Sequence, residues 1–136
     1  RAADVWDLPI SDYLDRADVW PLSPAGELML GLKLEDRSSL DVAEACIAVP
    51  GIALAEWGPG DMGMTFGLKE AHDPPYPAEM LEARRVVKTA CAKAGVAFLD
   101  IVKPDTVAAQ IDDGVRVGAA TEEAAAIGRR HSGRES

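Results

Sequence analysis

From Leu28 onward the chain alternates short apolar runs with stretches that carry apolar residues at helical spacing, and this alternation constrains the fold more than any other feature. The runs are 28–35 (LMLGLKLE), 52–57 (IALAEW), 96–101 (VAFLDI) and 115–119 (VRVGA). Helical patterns follow them over about 38–48, 77–94, 104–113 and 121–130. Strands that alternate with helices pair in parallel, because each crossover helix carries the chain back to the starting edge and covers the sheet. The expected fold class is therefore α/β with a parallel sheet. Four βα units occupy 28–130, a connecting segment with one short helix occupies 1–27, and a polar tail occupies 131–136.

Local signals support these elements. Pro77 suits a first helical position, Met80, Ala83, Val87, Ala90, Cys91 and Ala94 form one stripe, and Gly95 supplies a left-handed stop. Thr121 is the expected cap of the last helix, with Glu122 and Glu123 at its positive end and Arg129 and Arg130 at its negative end. In the opening segment Ser11 is the expected cap of a helix reaching Ala17, and Trp20 to Pro24 reads as an extended connection. The glycine- and proline-rich stretch from Gly58 to Pro77 is too long for an ordinary βα connection. It reads as a long loop over the carboxyl edge of the sheet, and hence as a candidate lid.

Composition narrows the function classes. A chain of 136 residues, 48% apolar, can bury one real core. A net charge of −9 repels a phosphate backbone, so no nucleic-acid partner is expected. No run approaches the length of a membrane span, and Arg1-Ala2-Ala3-Asp4 lacks a signal pattern, which predicts a soluble chain with no membrane partner. Cys46 and Cys91 lie in helical patterns without metal-ligand spacing, as expected of reduced thiols in the cytoplasm. Arg1 in place of an initiator Met implies a processed, cut or partly recorded chain.

Two carboxylates carry the chemistry. Glu35 ends the first apolar run, and Asp61 follows the second through Gly58-Pro59-Gly60. In neighbouring parallel strands the two carboxyl ends lie about 5 Å apart, so the acids face one ligand. Hard divalent cations take oxygen ligands and are commonly held by one or two carboxylates plus substrate oxygens. The amides around Gly60 and Asp61 are unobstructed on the glycine side and open to a substrate carboxylate. A 2-oxo acid chelating the metal would have its ketone polarised and its enolate stabilised. Acids after strands also serve as helix caps, and Asp36 and Asp61 both suit that role.

Other side chains are weaker candidates. His72, in the long loop, and His131, in the basic tail, read as solvated rather than as a general base. Trp20, Trp57 and Tyr76 read as core before pocket lining, Arg84 and Arg85 as solvated partners of Glu79 and Glu82, and Arg37 as surface charge. The sequence holds no P-loop, dinucleotide fingerprint, zinc spacing or nucleophile elbow.

Three strings, Gly31-Leu32-Lys33-Leu34-Glu35-Asp36, Ala48-Val49-Pro50-Gly51-Ile52 and Gly58-Pro59-Gly60-Asp61-Met62, resemble the HpcH/HpaI aldolase/citrate lyase family, in particular its 4-hydroxy-2-oxoheptanedioate (2-oxo acid) aldolases. Met62 stands where the family usually has Leu. The resemblance implies a pyruvate-binding (β/α)₈ TIM barrel in which Glu35 and Asp61 bind a divalent metal ion (Mg²⁺, Mn²⁺ or Co²⁺). Gly60 and Asp61 would hold the substrate carboxylate. The implied activity is a class II aldolase acting on a small 2-oxo acid such as pyruvate, with an aldehyde as second partner. An acyl-CoA lyase of the citrate lyase type and a non-catalytic half-barrel module are the alternatives. Such a barrel takes about 250 residues and eight strands. This chain resembles the C-terminal half, and no part of it matches the family's early-strand histidine and arginine. A missing N-terminal half or a second copy is the expected partner.

Overall fold

The structure, a computed structural model, describes residues 2–71 and 73–134. Two short helices, α1 (Ala2–Val5) and α2 (Ile10–Arg16), lead into β1 (Val19–Trp20). There follow β2 (Leu28–Lys33), α3 (Arg37–Asp41), α4 (Ala43–Ile47), β3 (Ile52–Glu56), α5 (Pro59–Thr65) and α6 (Ala78–Ala94). The chain continues through β4 (Ala97–Ile101), α7 (Val107–Asp112), β5 (Val115–Ala119) and α8 (Glu122–His131). The strands form one parallel sheet in the order β1-β2-β3-β4-β5. Each strand thus lies beside its sequence neighbours. A doubly wound sheet reverses direction at a switch point, whereas an unbroken order is the connectivity of an arc of a (β/α) barrel.

The core lies between this sheet and the helices. Leu34, Ala55, Trp57, Phe98 and Val115 from the strand segments meet Ile47 of α4 and Met80, Val87 and Cys91 of α6. Helix α6 supplies the largest apolar stripe, and Met80, Ala83, Val87, Ala90 and Cys91 are all buried. Gly95 ends it at φ 69°, donating its amide to Ala92 and Cys91 carbonyls. Truncating a buried side chain such as Met80 to alanine leaves a cavity and costs about 2–5 kcal/mol. Burial pushes the Cys91 thiol up to about 11, so it packs as a neutral apolar group.

Side chains alternate across a strand, so the other face is read by parity. With Ala55 and Trp57 in the core, Leu54 and Glu56 point away from the helices. Lys33 is the register partner of Glu56 and shares that face, as does Glu35 two residues on. This face is open. Met29, four residues before Lys33 and on the same face of β2, is 57% exposed.

Four local expectations are corrected. Trp20 does not merely begin an extended connection, because Val19–Trp20 pairs with Leu28 and Met29 as a short strand. Ser11 does not cap α2; Pro9 holds that position and the Ser11 hydroxyl donates to Asp12 at 3.0 Å. The helix expected over 38–48 is two, divided at Val42 (φ −116°, ψ 9°), where a β-branched residue leaves helical geometry. The stretch from Gly58 to Pro77 is no continuous loop, since α5 occupies its first part and Phe66, Leu68, Ala71 and Tyr76 pack on the core. Those anchors argue against a free lid. Among the described residues no helix is long and apolar enough to cross a membrane.

Candidate functional site

Glu35 and Asp61 both emerge at the carboxyl ends of adjacent strands, and each owes its place to the turn beside it. Ladder pairing runs one residue past β2, with the Leu34 amide donating to the Glu56 carbonyl at 2.9 Å. Asp36 then caps α3: its carboxylate accepts the Ser39 amide at 2.8 Å, while the Ser39 hydroxyl accepts the Asp36 amide at 3.4 Å. With Asp36 occupied in capping, Glu35 is left for other partners.

On the neighbouring strand Trp57 leads into Gly58, whose φ of 49° is left-handed backbone. A Cβ at this position would overlap the Glu35 carboxylate group, so the side chain of Glu35 lies directly over the glycine. Pro59 opens α5, and the Met62 amide donates to the Gly58 carbonyl at 2.9 Å. Asp61 sits in the first turn of α5, exposed, and is not its cap. Gly60 is also exposed, with open space where a side chain would be. Of the two acids that the sequence offers as caps, only Asp36 serves as one.

A cation already stands among the acids. Lys33 Nζ lies 2.6 Å from Glu35 Oε1, with the Glu35 side chain 26% exposed. The hydrogen bond to Glu35 raises the Lys33 pKa most, followed by the charges of Glu56, Glu35 and, last, Asp61, which places all three carboxylates within its field. Glu56 is half-buried, and burial raises its pKa further than Lys33 lowers it, with Glu35 and Asp100 adding repulsion. Among the described residues no group of three or more His, Cys, Asp or Glu side chains is arranged to hold a metal. A hydrated Mg²⁺-like ion keeps several waters and takes one or two carboxylates, so the oxygen donors of Glu35 and Asp61 are of the kind that fits it.

The remaining candidates lie apart from this pair. His131 pairs with Asp112 at 2.8 Å, joining α8 to α7 at the far side of the sheet from β2, and His72 lies outside the described residues. Arg37 covers the Phe66 ring at 4.4 Å from its centroid. Arg85 pairs with Glu82 on the surface of α6 as its spacing predicts. Arg84 does not: its Nε donates to Asp100 at 2.7 Å and its Nη1 to Asp113 at 3.3 Å. Trp57 is fully buried, and its ring meets Tyr76 edge-on at 5.0 Å between centroids. Trp20 is partly exposed on the short edge strand.

Asp100 is the residue that sequence reasoning passed over. It is 3% exposed, and its carboxylate accepts from the Trp57 indole, the Ile101 amide, Arg84 and, at 3.4 Å, Gln110. The one signal was an acid inside an apolar run, which implies a buried partner. A cavity of about 450 Å³ borders this network, lined by Tyr76, Arg84, Asp100, Lys103 and Gln110. It lies on the helix side of the sheet, away from Glu35.

Comparison with known proteins agrees with the strand order. The HpcH/HpaI aldolase of Desulfitobacterium hafniense DCB-2 superposes with a TM-score of 0.59 at 17% identity, over 79% of this chain and 41% of that one. Macrophomate synthase gives 0.63 at 23% identity, over 82% and 38%. A family protein from Burkholderia cenocepacia J2315 gives 0.63 at 21%, over 90% and 44%. At these identities the likeness is one of fold, that of a partial TIM barrel, and the chain spans between 38% and 44% of the length of these structures. No curated protein sequence matches the chain. The sequence profile of one family, HpcH/HpaI aldolase/citrate lyase, matches residues 22–129. The chain belongs to the HpcH/HpaI aldolase/citrate lyase family.

Proposed function

We propose that this chain carries the metal- and substrate-binding part of a divalent-metal-dependent carbon–carbon lyase, a class II aldolase that acts on 2-oxo acids through a pyruvate enolate. The family is one of aldolases and lyases whose members are generally dependent on a divalent metal. The reading is supported by the Glu35 carboxylate lying over Gly58 beyond the end of β2 and by Asp61 in the first turn of α5, which follows the neighbouring strand β3, in a chain of that family. Ligands of α/β barrels bind at that end.

Glu35 and Asp61 would hold the ion, Mg²⁺, Mn²⁺ or Co²⁺, and water would complete its shell. When bound, the ion supplies electrophilic polarisation of the substrate ketone. Gly60 leaves the start of α5 unobstructed, so the amides of Gly60 and Asp61 are the groups to hold the substrate carboxylate. Proton transfer needs a group from elsewhere. The aldehyde partner and the general base would come with the other βα units of the barrel, in the same polypeptide or from a second copy. The free thiols of Cys46 and Cys91 suit a reducing cytoplasm.

The test is metal-dependent exchange of pyruvate methyl protons with deuterated solvent, followed by NMR on the barrel completed by its remaining units. Glu35→Gln and Asp61→Asn should each lower the exchange rate by two orders of magnitude or more, on the scale of about 10²–10³-fold for losing one stabilising group. Undiminished exchange in both variants would reject these roles.

A further inference from the structure

The sheet sets Lys33 between two carboxylates. Glu56 is its register partner across β2 and β3, and Glu35 lies two residues farther along its own strand on the same face. The ammonium is on Glu35, at 2.6 Å. Among the described residues no ion pair holds the half-buried Glu56. The Lys33 side chain is 56% exposed, so its four-carbon stem can swing from one acid to the other without disturbing the core.

Formal charge gives the arrangement a purpose. Glu35, Glu56 and Asp61 carry three negative charges and Lys33 one positive, which leaves two negative charges for one divalent cation to neutralise. An ammonium and a metal ion on the same carboxylate repel each other, whereas Glu56 offers the ammonium a second acceptor directly across the strand pair.

We propose that Lys33 is the resident counter-ion of this site, held by Glu35 when no metal is bound and transferred to Glu56 when a divalent cation takes Glu35. The inference rests on the metal-binding reading of Glu35 and Asp61 and assigns Lys33 and Glu56 a function within it. Lys33 keeps the acids from repelling one another in the free protein, at the cost of competing with the metal. Glu56 relieves that competition and is a positioning residue for the ammonium, with no contact to the ion.

A double-mutant cycle on Mn²⁺ affinity tests it, with unbound Mn²⁺ counted by electron paramagnetic resonance. Lys33→Met keeps the stem and removes the competitor, and should tighten Mn²⁺ binding about tenfold. Glu56→Gln removes the second acceptor and should weaken binding about tenfold. In the Lys33→Met background Glu56→Gln should change affinity by less than about threefold, because no ammonium remains to be relocated. Additive effects in the double variant would show that the two charges act only through their fields, and would overturn the transfer. Unchanged affinity in Lys33→Met, with wild type binding Mn²⁺, would overturn the proposal and leave the metal site standing. Absence of Mn²⁺ binding in both wild type and Lys33→Met would remove the metal site and the proposal together.

Discussion

The indole N–H of Trp57 donates to Asp100 Oδ1 at 2.9 Å, tying the residue that precedes the Gly58 turn to a carboxylate sent by β4 into the helix layer. The bond is buried, and Arg84 holds the second oxygen of the same carboxylate at 2.7 Å. Through this pair the turn under Glu35 is braced from behind by β4 and α6.

Removing Asp100 should therefore be costly. An alanine there leaves the Trp57 N–H without its acceptor and the Arg84 guanidinium with Asp113 alone, and breaking a buried charge pair from one side costs about 3–5 kcal/mol. Urea unfolding of Asp100→Ala should show a loss of that size. Trp57→Phe, which keeps most of the ring but loses the donor, should lose about 1–3 kcal/mol. An Asp100→Ala variant as stable as wild type would mean that the network contributes nothing.

Stability should depend on acid pH through Asp113. A hydrogen bond from Lys88 at 2.6 Å, aided by Arg84, holds this carboxyl below its ordinary value of 3.8. A carboxyl depressed in the folded protein stabilises it above that ordinary value, and the contribution fades as pH falls through the folded value. Asp113→Asn should accordingly lower the melting temperature near neutral pH, with the difference closing as the pH falls below 3.8. A difference that is constant with pH would exclude the ion pairs as its source.

Gly58→Ala should damage fold and site together. Left-handed backbone costs an L-residue about 1–2 kcal/mol, and the new methyl group would occupy the place of the Glu35 carboxylate. Thermal unfolding should fall by several degrees and Mn²⁺ affinity should drop, while Gly67→Ala, also left-handed at φ 77° but with open space around it, should leave Mn²⁺ affinity unchanged. Equal effects of the two substitutions on affinity would remove the steric link between Gly58 and Glu35.

The repeating elements were legible because local signals sufficed for them. The stop at Gly95, the cap at Thr121 and the stripe from Met80 to Cys91 are encoded within a turn or two of where they act. The Thr121 hydroxyl indeed accepts the Ala124 amide, at 3.3 Å. Helix α5 was hidden because three of its seven residues are Pro or Gly, which lower helix propensity, and it forms against the core through buried Met62 and Gly63. The partner of Arg84 was hidden for a different reason. Glu82 and Glu79 lie two and five residues from it along α6, neither at the three- or four-residue spacing of a helical pair, and only the folded sheet brings Asp100, 16 residues away, beneath it. The same holds for Lys33 and Glu56, whose pairing is a matter of strand register.

Binding of one divalent ion by Glu35 and Asp61 together can be seen by Mn²⁺ anomalous scattering from crystals soaked in MnCl₂. One anomalous peak is expected at the carboxyl end of the sheet, about 2.0–2.6 Å from a carboxylate oxygen of each residue. A peak bound to only one of them, or Mn²⁺ found solely at other carboxylates, would contradict it.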